Sequence, residues 1–156
     1  MTTQFLPSTI HLTPGIVQVH YVRPLYNRLV NINEPDQVYQ IVKQVIPPTR
    51  MDVKEFFYAL YLTNSNRLLG LAKIGEGTVK GVVVNNAEIF QIAFSLHASA
   101  IILCHNHPSG NLTVSDADIT ATRKIQEVCK YLDITLVDHM IITSEGFCSM
   151  ANCGEI

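Results

Sequence analysis

The sequence predicts a single α/β (α+β) domain in which a mixed β-sheet is flanked by helices. Three observations predict it. The chain has 156 residues, 47% of them hydrophobic and only 15% charged, which is one domain's length with ample apolar surface to offset the entropy of ordering. Two β-rich runs, Phe56 to Thr63 and Leu68 to Ile74, flank the turn-forming Asn64-Ser65-Asn66-Arg67, the pattern of an antiparallel hairpin. Beyond the hairpin, strand and helix patterns alternate, so the sheet is expected to be mixed in direction.

Residues 1–32 read as a β-rich appendage, and residues 33–156 as the domain proper. Ile16, Val17, Val19, Tyr21 and Val22 suggest a β segment between Pro14-Gly15 and Pro24. Pro14-Gly15 is read as a turn, since nothing around it has the pattern of paired helices. A first helix is predicted from Asn33, a capping residue, with Pro35 in its first turn and Val38, Ile41, Val42, Val45 and Ile46 on one face. Pro47-Pro48 stops it. After the hairpin and a loop at Gly75, Gly77 and Gly81, Val82-Val83-Val84 reads as a short apolar strand. A second helix, about Asn86 to His97, turns Ile89, Ala93 and Leu96 inward. Ala100 to His105 is a continuous apolar run, as expected of a strand buried on both faces. A polar loop, Asn106 to Val114, leads into a helix of about Asp116 to Tyr131. A strand over Ile134 to Thr143 and a last short one near Phe147 complete the series.

Composition narrows the function. Eleven Lys and Arg against 13 Asp and Glu give a net charge of −2, so DNA is not expected as a partner, because nucleic-acid binding rests largely on neutralising phosphates. Met1-Thr2-Thr3-Gln4-Phe5 lacks the charged and apolar regions of a secretory signal, and stretches such as Ala100 to Cys104 are too short to cross a bilayer. A cytoplasmic protein is expected, with no membrane association. Four cysteines, Cys104, Cys129, Cys148 and Cys153, are too few and scattered for a disulfide scaffold. Cys148 and Cys153 have the spacing of half a metal site, but without a second pair they are read as reduced and structural. The low charged fraction also suggests covered surface, as in a homodimer.

One stretch carries chemistry: His105-Asn106-His107-Pro108-Ser109-Gly110, then Ser115 and Asp118. Two histidines one residue apart, where a buried strand ends, can reach one cation. A carboxylate on the first turn of the next helix can close the site and leave a fourth position for water, the arrangement of a catalytic zinc centre. Each part has a plainer reading. Ser115 and Asp118 also have capping-box spacing, and Pro108-Ser109-Gly110 is an ordinary turn.

His105-x-His107, seven residues, Ser115, two residues, Asp118 resembles the H-x-H-x7-S-x2-D signature of the JAB/MPN (JAMM) metalloproteases. With Asp138-His139 on a later strand, the stretch from about Asp52 to Gly146 is similar to the RadC-like bacterial branch. The resemblance implies a JAB/MPN, cytidine-deaminase-like architecture and a zinc-dependent metallopeptidase or isopeptidase. His105, His107 and Asp118 would be the Zn2+ ligands, and Ser115 would steady the oxyanion or the attacking water. An upstream glutamate would be the general base. Glu55, opening the Phe56-Thr63 strand, fits the family's placement. Glu88 is the rival, although Asn85 and Glu88 also have capping-box spacing. The alternative is a binding module of the same family that keeps its metal without turnover. For His139 the plain reading is a core histidine, and the resemblance adds a supporting role beside the metal. His11, His20 and His97 sit in no motif.

The sequence also departs from the family. Ala87 stands where an arginine is usual and Val114 where a proline is common. Residues 1–50 give no room for the helix-hairpin-helix domain of many RadC-like proteins. His105-Asn106-His107 is not the dispersed nuclease motif of the same letters, and the Pro-Cys-x-x-Cys of zinc deaminases is absent.

Overall fold

The structure, a computed structural model, describes residue 22, residues 28–78 and residues 81–156. Except for exposed Val22, the β segment expected before Pro24 lies outside these residues, as do His11 and His20.

Helices α1 (Pro35–Val45) and α2 (Pro48–Met51) precede the hairpin of β1 (Phe56–Leu62) and β2 (Leu68–Glu76). Then follow α3 (Asn86–Leu96), β3 (Ala100–Asn106), α4 (Asp116–Tyr131), β4 (Thr135–Ile142) and β5 (Phe147–Ser149). The strands form one sheet in the order β2-β1-β3-β4-β5, with β3 and β4 parallel and the other neighbours antiparallel. The sheet is therefore mixed, as the sequence predicts, and α4 makes the crossover that a parallel pair requires. Among the described residues no helix is long and apolar enough to cross a membrane.

β1 and β3 are buried along their whole length, and side-chain alternation divides their residues between two cores. Phe57, Ala59, Tyr61, Ile101 and Leu103 pack with Ile89, Ala93, Ile125 and Cys129 of α3 and α4. Phe56, Tyr58, Leu60, Leu62, Ile102 and Cys104 pack on the opposite face with Val38, Tyr39 and Val42 of α1. Leu29 and Ile32, ahead of α1, join these cores, and Asn31 bridges to Arg67 at the hairpin turn.

Local expectations change in four places. The cap of α1 is Glu34, not Asn33, because Gln37 Oε1 accepts from both backbone amides, Asn33 N at 2.7 Å and Glu34 N at 3.1 Å. Pro47-Pro48 ends α1, yet Pro48 opens α2, since proline suits a first helical turn. Val82-Val83-Val84 is not a strand. Val82 and Val84 pack inward and Val83 outward, a strand-like alternation, but the segment has no ladder partner among the described residues. It runs so close to the end of β2 that a Cβ on Gly75 would lie 2.6 Å from Val82 Cγ2 and one on Gly77, the residue after β2, would collide with Gly81 O. The Asn85 side chain makes no cap bond to α3, so the Asn85–Glu88 capping box does not form.

Candidate metal centre

The site is built where β3 leaves the sheet. Alternation points His105 to the α4 face and Asn106 to the α1 face. His107 extends the ladder by one bond, its N donating to Ile142 O at 2.9 Å, before the chain turns over Pro108 and Ser109. Gly110 closes that turn onto His107 O at 3.1 Å with φ of 79°, a conformation that favours glycine. The turn brings Asn111 O within 2.7 Å of His107 Nδ1. A carbonyl only accepts, so Nδ1 carries the proton and Nε2 a lone pair.

That Nε2 lies 3.0 Å from His105 Nε2 and 3.7 Å from Asp118 Oδ2, and His105 Nε2 lies 3.1 Å from Asp118 Oδ1. One ligand atom from each of the three residues falls within 4.8 Å of the others, so they could hold a single metal ion. The donor chemistry fits one. His105 Nδ1 is occupied by His139 Nε2 at 2.9 Å, so the Nε2 atoms of both rings are turned to a carboxylate and to each other. Such a convergence of electron-pair donors needs a cation or a proton at its centre, and two imidazoles with a carboxylate suit a divalent transition metal.

Asp118 serves the helix and the cluster at once. Ser115 Oγ donates to Asp118 Oδ2 at 2.6 Å and Ser115 N donates to the same oxygen at 2.8 Å, while Asp118 N donates back to Ser115 Oγ at 3.1 Å. The capping box is thus formed, and Oδ1 is left for His105. Burial pushes the Asp118 carboxyl up, but the two imidazoles and the Ser115 hydroxyl outweigh it and hold it far below the usual range. The same carboxylate raises His107 against the lowering effect of burial.

Glu55, immediately before β1, lines the same cleft of about 470 Å³ as His105, His107, Ser115 and Asp118. Burial raises its carboxyl, and His105 and His107 pull it part of the way back. Glu88 does not line that cleft; it lies on the first turn of α3 within electrostatic reach of Tyr61. Phe57 forms the apolar floor, its ring stacked on His105 at 6.0 Å and edge-on to His139 at 5.4 Å. Val82, Val84, Ala117 and Ala121 line both this cleft and an adjoining hollow of about 540 Å³.

Sequence reasoning missed Asn106. Its Nδ2 donates to Met51 O at 2.6 Å and Lys54 O at 2.8 Å, and its Oδ1 accepts from Phe56 N at 2.7 Å. These bonds clamp the backbone on both sides of Glu55, whose own carbonyl accepts from Gly77 N at 2.8 Å. A fully buried asparagine ending an apolar strand was the available signal, because such a group must find partners. Thr122 was also missed, although it lies one helical turn after Asp118 and so on the same face of α4.

Asp138 and His139 go separate ways. His139 is buried beside the cluster, and burial holds its imidazole well below the usual range. Asp138 faces away and accepts from His139 N at 2.8 Å, Ala151 N at 3.0 Å and Ser149 Oγ at 2.5 Å. His97 ends α3 in the left-handed conformation, away from the site. All four cysteines are free; Cys148 and Cys153 Sγ lie 3.6 Å apart, and among the described residues no further metal-ligating side chain joins them.

A family model for the RadC-like JAB domain matches residues 32–155. A UPF0758 protein of Finegoldia magna is 39% identical over 120 residues, covering 77% of this chain and 52% of that protein. A UPF0758 protein of Flavobacterium johnsoniae is 38% identical over 100 residues (64% and 44%), and one of Geotalea uraniireducens is 36% identical over 129 (83% and 55%). The chain spans about half the length of the curated relatives it matches.

Proposed function

The chain belongs to the RadC-like JAB domain family, and from that premise we propose that it is a cytoplasmic, zinc-dependent hydrolase of amide or isopeptide bonds in a peptide or protein. The observation that carries this reading is the meeting of Glu55 with His105, His107 and Asp118 in one cleft.

Zinc held by those three residues would supply Lewis acidity, polarising a carbonyl and lowering the pKa of water to about 7. Glu55 is the general base. Its carboxylate takes a proton from the attacking water and later gives it to the leaving amine nitrogen, so the proton balance closes on one side chain. A base whose carboxyl is raised by burial is better matched to that exchange near neutral pH than an ordinary glutamate. Asn106 and Gly77 hold the backbone around Glu55. Ser115 steadies Asp118, and it serves an oxyanion only by giving up its bond to Asp118 Oδ2.

That engagement of Ser115 favours a second reading, a binding module that keeps the ion for rigidity and turns nothing over. In either case neither DNA nor a membrane is a proposed partner, and a homodimer is proposed from the low charged fraction of 15%.

The test is zinc content together with cleavage of a peptide and isopeptide library by wild type and Glu55→Gln. One zinc per chain is expected, with cleavage by the variant reduced about 10²- to 10⁴-fold and its zinc retained. Absence of zinc after loading, or equal cleavage by the variant, rejects the hydrolase. Zinc that raises the melting temperature without cleavage of any member selects the binding module.

A further inference from the structure

A series of contacts leads from His105 into the interior. His105 Nδ1 meets His139 Nε2 at 2.9 Å, His139 Nδ1 meets Thr122 Oγ1 at 2.5 Å, and Thr122 Oγ1 lies 2.6 Å from Asp118 O. Heavy-atom positions leave the first two bonds undirected, because a neutral imidazole carries its proton on either nitrogen. The last contact removes that freedom. A carbonyl oxygen only accepts, so the Thr122 hydroxyl proton is committed to Asp118 O, the back-bond of a helical threonine to the residue four before it.

With its one proton committed, Thr122 Oγ1 accepts from His139, whose proton therefore sits on Nδ1. His139 is 1% exposed. The adjacent Asp138 carboxylate is taken up by His139 N, Ser149 and Ala151, so it does not hold the ring charged. A neutral ring with its proton on Nδ1 has a bare Nε2, and that atom accepts from His105 Nδ1–H. The Nε2 of His105 is then the one with a lone pair, and it is the atom that faces His107 and Asp118.

We propose that the Thr122 hydroxyl, acting through His139, fixes the tautomer of His105 and thereby sets the affinity of the site for a divalent cation. Thr122 is a positioning residue two side chains removed from the ion. Because its hydroxyl donates to the carbonyl of Asp118, it references both ligands to the same turn of α4. The inference rests on the metal-site reading and is independent of whether the protein hydrolyses anything.

Thr122→Val removes the hydroxyl at nearly constant shape, and Thr122→Ser keeps it. Zinc affinity by chelator competition, visible absorption of the Co2+-loaded proteins and melting of the ion-free proteins are measured for both. Thr122→Val is expected to bind zinc about 10- to 100-fold more weakly and to shift the Co2+ absorption, while Thr122→Ser stays near wild type on both. Long-range proton–nitrogen NMR of zinc-loaded wild type is expected to find His139 protonated on Nδ1. Unchanged zinc affinity and Co2+ absorption in a folded Thr122→Val, or a His139 proton on Nε2, overturns the inference. The NMR result decides alone if the valine variant fails to fold. Wild type that takes up neither ion overturns the inference and the metal-site reading together; wild type and Thr122→Val that load equally overturn the inference alone.

Discussion

Asn106 and Tyr61 are both buried side chains with hydrogen-bonding atoms, one on each face of the sheet, and they are treated in opposite ways. Asn106 uses both amide protons and its oxygen on three backbone groups around Glu55. The Tyr61 hydroxyl, among the α3 and α4 residues, is buried without a partner among the described residues, and burial, reinforced by Glu88, drives its ionisation far up. A buried polar group is thus satisfied where it ties segments together and tolerated unsatisfied where its ring does the packing. His105, one residue before Asn106, is a third case: its outer nitrogen faces His107 and Asp118 in a group that could hold a metal ion.

The contrast can be broken by substitution. Asn106→Leu strands Phe56 N, Met51 O and Lys54 O, and a loss of about 3–5 kcal/mol is expected in urea unfolding. A loss under about 1 kcal/mol would mean that the clamp contributes little. Next in size is the effect of pH on the ion. The Asp118 carboxylate raises His107, so in the ion-free protein a proton occupies that ring at a higher pH than on an ordinary histidine. Zinc bound as proposed would have to displace it, and affinity is expected to fall by up to about tenfold per pH unit for each proton displaced as pH drops through that raised value. Chelator competition between pH 8 and pH 6 (conditions spanning roughly the imidazole range) reads this directly, and a flat profile would contradict it.

Tyr61→Phe should move stability in the opposite direction to Asn106→Leu. Removing an unsatisfied hydroxyl is expected to stabilise by about 1 kcal/mol, read as a higher melting temperature, and destabilisation would show that the hydroxyl has a partner. The smallest effect belongs to the surface. Lys73, Lys54 and Arg50 hold the Glu76 carboxyl down at about 2. With its folded value depressed, Glu76 contributes stability above the ordinary carboxyl value of 4.5, and that contribution is lost as pH falls toward 2. Melting of Glu76→Gln should therefore lie slightly below wild type at pH 6 and converge with it in acid, with the difference shrinking in high salt.

Much of this was legible in the sequence because it is periodic or local. The hairpin, the buried run at Ala100 to His105 and the helix from Asp116 to Tyr131 follow from alternation and caps, and they stand where expected. The histidine pair and Asp118 come together because the strand end and the helix start are adjacent in sequence. Partnerships across the sheet were not legible. Asn106 meets residues 50 or more positions away, and Val82-Val83-Val84 has a strand's composition without a strand's neighbour. The Thr122 hydroxyl gains its meaning only when His139, on another element, is brought against it.

The turn after β5 lies beneath the site. Met150 N donates to His139 O at 3.1 Å, while Ser149 Oγ and Ala151 N close on Asp138. An exopeptidase trimming the chain back past Ser149 would strip Asp138 of two of its three donors, leaving only His139 N, and free the backbone that seats His139. Enzymatic nibbling there would loosen the seat of His139 while His105, His107 and Asp118 were all still present.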